Sequence, residues 1–227
     1  MLEGENELNR NLMFPIFFLL GLLLLVVDHT GHSLGDRLFL SLGIQPWTGE
    51  HQSGAHLSAI IGIALLMMGM MCTVTYYKKK LPSIFAWCLL VCIAVYGAFP
   101  YAAEKTMFIL KQNADGVNSM DYSVKDNSCH FQQEEVEEGD GKRNHVFCNV
   151  KLFNYGNAEH VNIRPLFPYY YEVSDFAPAT VSVPPHSTVT VEFELWELEG
   201  NDMHFSGWIE NMEFELTPAT APGNLFG

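Results

Sequence analysis

The sequence predicts a membrane protein in which three transmembrane α-helices are followed by an extracytoplasmic, all-β immunoglobulin-like sandwich. Three observations lead there. The basic triplet Lys78-Lys79-Lys80 lies between two apolar runs of 21 residues each, Leu57 to Tyr77 and Ser83 to Ala103. Residues 1–112 hold 7 acidic and 7 basic side chains, a net of 0, whereas residues 113–227 hold 19 acidic and 5 basic, a net of −14. After Ser123 the apolar spacing changes to a period of two. A near-neutral apolar half followed by an acidic polar half reads as a membrane domain, residues 1–112, carrying a soluble domain, residues 113–227.

The lysine triplet sets the orientation. A run of about 20 apolar residues crosses a hydrocarbon core about 30 Å thick as a helix, and short loops rich in Lys stay on the cytoplasmic side. The N-terminus is then cytoplasmic, the loop 28–56 is outside, and everything after Ala103 is outside.

The first span is expected at about residues 12–28. Its apolar run, Leu12 to Val27, contains Pro15 and follows Glu3, Glu5, Glu7 and Arg10. A secretory signal has a basic leader and a small-residue cleavage site, so this segment is read as retained. In the outer loop, Leu38 to Ile44 is too short to span and is expected to lie along the interface as a short amphipathic helix, with Trp47 at headgroup level. The second span, residues 57–77, carries Gly62 and Gly69 seven residues apart on one helical face, where another of the chain's own spans can approach closely. The third span, residues 83–103, holds Pro100 near its outer end. Tyr76 and Tyr77 fit an inner aromatic belt, Tyr96 and Tyr101 an outer one. The middles of the second and third spans contain no ionisable Asp, Glu, Lys, Arg or His. Ion and proton pathways are marked by such residues, which argues against a transporter or pump.

Glu104 to Gln112 connects the halves, with Met107, Phe108 and Leu110 available to pack on the outer domain. Three stretches then alternate. Val146, Cys148, Val150 and Leu152 make one apolar face, Val189, Val191, Phe193 and Leu195 a second, and Met212, Phe214 and Leu216 a third. Turn-rich pieces such as Glu138-Gly139-Asp140-Gly141 and Asn154-Tyr155-Gly156-Asn157 separate such strands, as in an antiparallel sandwich of about seven strands. A hairpin turning at Gly139 to Gly141 sets Cys129 opposite Cys148. A bridge there closes an 18-residue loop, residues 130 to 147, and stabilises the fold by about 3 kcal/mol on the chain-entropy model. Such a bridge suits an oxidising, outward compartment.

Two groups of side chains point to chemistry. Asp28-His29-Thr30-Gly31-His32, Glu50-His51 and His56 return to the same membrane face, and imidazoles beside a carboxylate are what zinc or copper requires. If the first span stays helical past Val27, His29 and His32 share a face and can meet His51 and His56. His130 and His145, facing away from the cysteine side, lie diagonally across the hairpin and supply only two ligands. The acidic run from Glu134 to Asp140 lacks the alternating Asp/Asn pattern of a calcium loop and reads as a solvated hairpin tip.

The sequence contains no nucleophile elbow, P-loop, Rossmann glycine pattern or CxxC. An acidic surface also excludes nucleic acid. The reading is a non-enzymatic accessory or sensory membrane protein whose outer sandwich binds a protein, envelope component or small ligand. Its partners are the bilayer and another membrane or envelope protein. The aromatic stretch Phe167-Pro168-Tyr169-Tyr170-Tyr171 is its first candidate contact, since Tyr is favoured at interfaces. The rival is zinc or copper binding, or a metal-dependent activity, at the outer membrane face through His29, His32, His51 and His56.

Overall fold

The computed structural model describes residues 2–49, 54–135, 142–166, 176–196 and 206–219; of 2–12, 133–135 and 142–144 it describes the backbone alone. The chain divides into two compact units, Met1–Glu104 and Lys105–Gly227. The first is helical, with α1 (Leu2–Leu25), α2 (Leu34–Ser41), α3 (Leu57–Tyr77) and α4 (Ile84–Leu110), the last running past the division. Two of these four, α3 and α4, are long and apolar enough to cross a membrane. The apolar part of α1 is Met13–Leu25, about 20 Å at 1.5 Å per residue. It falls short of a bilayer core.

Glycines bring α1 against α3. A Cβ at Gly69 would collide with the backbone of Phe18, one at Gly21 with the backbone of Leu66, and one at Gly62 with Leu25 Cγ at 2.9 Å. The face expected from Gly62 and Gly69 is therefore filled by the chain's own first helix. Phe18, Leu22 and Val26 are buried along that seam. By contrast, α4 buries only Cys88, and a Cβ at Gly97 would meet nothing within 4 Å.

The second unit holds seven strands among the described residues: β1 (Met120–Glu135), β2 (Lys142–Asn154), β3 (His160–Leu166), β4 (Ala179–Ser182), β5 (Ser187–Trp196), β6 (Gly207–Glu210) and β7 (Glu213–Pro218). They form two antiparallel sheets, ordered β5-β2-β1-β6 and β4-β3-β7. One core serves both sheets: Cys129, Phe131, Val146, Cys148, Val150 and Leu152 from the larger meet Val161, Ile163, Val181 and Phe214 from the smaller. The three alternations read from the sequence face this core. Cys129 pairs with Cys148 in the register, and the two are joined by a disulfide with Cα atoms 4.1 Å apart. Residues 136–141, where the hairpin turn was expected, lie outside the described residues.

Polar side chains tie the sheets where the β1–β2 ladder slips between Tyr122 and Asn127. Asn127 Nδ2 donates to Ser123 O at 2.9 Å and Met212 O at 2.8 Å, while its Oδ1 accepts from Met212 N at 2.8 Å. Tyr122 OH accepts from Phe214 N at 2.9 Å. Burial pushes that phenol above its ordinary pKa. Phe108, at the end of α4, packs edge-on against Tyr155 with centroids 5.1 Å apart.

Two outcomes check this packing. Gly69→Leu should lower the melting temperature of the detergent-purified protein by several degrees, and Gly97→Leu should leave it unchanged; equal behaviour of the two would remove glycine packing as the reason α1 and α3 associate. Replacing Cys129 and Cys148 together by Ala should cost about 2–5 kcal/mol in unfolding of the β unit, read by urea titration under non-reducing conditions. No loss would mean that the sheet core alone sets the register.

Candidate functional site

The helical unit contains a polar cluster built by two capping events. α1 ends at Leu25, and the chain folds back at once through a Val27–Ser33 bridge. Gly31, at φ 99°, takes the left-handed conformation that this tight return needs. Asp28 organises the turn: its Oδ1 accepts from Thr30 N at 2.9 Å, Thr30 Oγ1 at 2.6 Å, Gly31 N at 3.1 Å and His32 N at 3.2 Å. Arg37 on α2 closes the arrangement, with Nη2 2.7 Å from Asp28 Oδ2 and 3.0 Å from Thr30 Oγ1. The expected continuation of a helix past Val27 is not found, and the spacing that would have put His29 and His32 on one helical face does not apply.

Ser33 caps α2 by accepting from Asp36 N at 3.0 Å. This points Asp36 at the start of α3, where its Oδ1 lies 2.7 Å from His56 Nε2 and accepts from Ser58 Oγ. Trp47 stacks flat on His56, centroids 4.2 Å apart and planes within 1°. Serine, histidine and aspartate together invite comparison with a hydrolytic triad, but both the serine and the carboxylate approach the same nitrogen, His56 Nε2, with Ser58 Oγ 3.1 Å away. A relay needs them on opposite ring nitrogens. Ser58 is also fully buried. Two donors converging on one carboxylate oxygen make a clamp between α2 and α3.

Of the four histidines expected to hold zinc or copper, His29, His32 and His56 are described. Among the described residues no three His, Cys, Asp or Glu side chains converge as a metal would require. His29 is buried in the turn, His56 is held by Asp36 and Trp47, and His51 lies outside the described residues. Phe167, Tyr169, Tyr170 and Tyr171 also lie outside them.

The β unit presents a different kind of surface. Because the cysteines point inward, the residues beside them in the ladder point out. One cross-strand row reads Glu194, Phe147, His130, Trp208 across β5, β2, β1 and β6. The next reads Glu192, Asn149, Ser128, Glu210. All eight residues but Glu210 line a shallow groove of about 430 Å³. Trp208 is 70% exposed and Phe147 43%, large values for rings of this size. His130 stacks on Trp208 at 4.4 Å. Above the first row, His145 is buried between Trp196 and Phe147, both centroids at 4.0 Å. Its Nε2 sits 2.6 Å from Glu194 Oε1. The placement of His130 and His145 on one outward face agrees with the sequence; the indole and phenyl that join them were missed.

No family model, curated protein or solved structure matches this chain. The candidate site therefore rests on its own geometry. The signal that could have found it is present in the sequence: Phe147, Trp196 and Trp208 occupy strand positions where an outward face ordinarily carries polar residues.

Asp36→Ala should destabilise the helical unit by about 1–3 kcal/mol, since His56 and Ser58 both lose their acceptor. Thermal unfolding in detergent measures it. Unchanged stability would show that the cluster does not clamp α2 to α3.

Proposed function

We propose that the chain is a non-enzymatic, membrane-anchored accessory or sensory protein whose β unit, an immunoglobulin-like sandwich outside the cytoplasm, binds a protein, envelope component or small ligand. The observation that carries this reading is the outward face of the four-stranded sheet, where Phe147 and Trp208 stay exposed beside Glu192 and Glu194. A solvated sheet face ordinarily hides no such rings, and exposed aromatic surface rimmed by polar groups marks interaction sites.

The anchoring rests on α3 and α4 and on the lysine triplet between them; α1, whose apolar part is shorter than a bilayer core, is proposed as a third span held to α3 by glycine packing, the bilayer thinning around it. The same triplet, by the bias of Lys-rich loops, supports a cytoplasmic N-terminus and an outer β unit. The Cys129–Cys148 bridge suits that compartment. The bilayer and another membrane or envelope protein are the partners. Zinc or copper binding by the loop histidines gains no support from the turn at Asp28 or the clamp at Asp36.

Two measurements test the proposal. An impermeant maleimide should label Glu159→Cys in intact cells and Lys79→Cys only after permeabilisation; the reverse pattern would overturn the orientation. Trp208→Ala combined with Phe147→Ser should abolish rescue of a deletion strain while the protein still accumulates in the membrane. Full rescue by that variant would remove this face from the function.

A further inference from the structure

We infer that the outward groove of the four-stranded sheet is a recognition site for a basic polypeptide segment, one that presents Lys or Arg side chains to aromatic faces flanked by carboxylates. This inference rests on the proposed ligand-binding role of the β unit and specifies its ligand class.

The two cross-strand rows supply the geometry. Neighbouring strands lie about 4.8 Å apart, so four residues in register span about 14 Å. Along β2, Phe147 and Asn149 are two residues apart, about 7 Å. The first row offers Phe147 and Trp208 as π faces, with His130 stacked on Trp208 and Glu194 at the β5 edge. The second row carries a carboxylate at each edge, Glu192 on β5 and Glu210 on β6. The area suits several side chains of an extended segment better than one small ion.

Charge complementarity identifies the occupant. An aromatic face attracts a guanidinium or ammonium through its quadrupole, and the carboxylates attract the same groups. Neither row contains Lys or Arg. Lys151, further along β2, is turned to Asp126 at 3.6 Å and lies over the Phe153 ring at 5.5 Å. Residues 113–227 add a net charge of −14, which draws basic partners from a distance and repels acidic ones.

Two of the carboxylates have polar neighbours on this face. Glu194 Oε1 lies 2.6 Å from Nε2 of the buried His145, and Glu192 Oε1 accepts a long hydrogen bond from Asn149 Nδ2 at 3.4 Å. Such contacts narrow where the carboxylates point, which lowers the ordering that binding costs.

The test uses the full chain in nanodiscs of uncharged lipid, titrated with a hexa-arginine peptide, with hexaglutamine and with a neutral chitin oligosaccharide, by calorimetry and Trp fluorescence. Hexa-arginine should bind and hexaglutamine should not. Trp208→Ala and Glu194→Gln should each weaken hexa-arginine binding at least tenfold, whereas Glu159→Gln, an equal charge change at an exposed site off this face, should change it less than twofold. If Glu159→Gln weakens binding as much as Glu194→Gln, the attraction is diffuse and the site is refuted. Binding of the oligosaccharide alone, lost in Trp208→Ala, would overturn the basic-peptide assignment and leave the ligand-binding role standing. Absence of binding by every probe, with loss of rescue still seen in the Trp208/Phe147 variant, would refute this inference alone; absence of both would refute the parent reading too. Circular dichroism of each variant separates misfolding from loss of contact.

Discussion

The pairing of Cys129 with Cys148 is the constraint on which the β unit depends. Side chains on a strand alternate with a period of two, so a one-residue slip would exchange every inward residue for an outward one. With the bridge in place, Phe131, Val146 and Val150 go to the core, and His130, Phe147 and Asn149 go to the surface. The disulfide does more than close a loop. It prevents the β1–β2 hairpin from slipping into a register that would turn His130 or Phe147 inward and Phe131 or Val146 outward, and so it sets which residues of these two strands reach the outward face.

The helical unit solves another problem, which is how to turn a chain between apolar helices without leaving backbone groups unpaired. The first N–H groups of a helix, and the amides of a tight return, need acceptors. Asp28 supplies one for the return after α1, Ser33 supplies one for the start of α2, and Asp36 ties α2 to the start of α3. Gly35 makes the close approach possible, since a Cβ there would meet Leu24 O at 2.5 Å and Ser58 Cβ at 3.2 Å. Asp28, Asp36 and His56 of this loop are thus engaged in structure. Residues of the types that bind metals are also the residues that cap helices, and spacing alone does not separate the two uses.

That overlap explains what could be read from the sequence and what could not. Long apolar runs and period-two alternation are local signals, so α3, α4 and the three core-facing strands were legible, as was the Cys129–Cys148 register. The glycine pair at Gly62 and Gly69 even implied a neighbouring helix. By contrast, the turn at Asp28 depends on Arg37, nine residues on, and on a glycine with positive φ, and the sequence invited a helix instead. β3 was not named because one of its three inward positions, Val161, Ile163 and Pro165, is a proline, which ordinarily argues against a strand. α2 begins four residues before its apolar core because Ser33 caps it. The rings of the groove stood out locally at Phe147, Trp196 and Trp208, but their assembly is topological: Trp208 meets His130 only because β6 pairs with β1, and nothing local announces a contact between residues 78 positions apart.

An exposed aromatic sheet face has a cost, and how the protein carries it bears on what the face is for. Full burial of a ring the size of Phe is worth about 1.5–3 kcal/mol, so open rings favour self-association, and β5 and β6 are both edge strands. Edge strands with apolar faces are hazards that charged side chains suppress. Here Glu192 and Glu194 lie on β5 and Glu210 on β6, bracketing the rings. Two copies meeting through this face would bring six carboxylates together with no Lys or Arg between them. Like-charge juxtaposition at that density opposes a homodimer and opposes edge-to-edge growth. A partner carrying the opposite charge meets no such barrier. The carboxylates that keep the face from pairing with itself therefore also select what it can pair with, and the rings supply the apolar area that makes the encounter last.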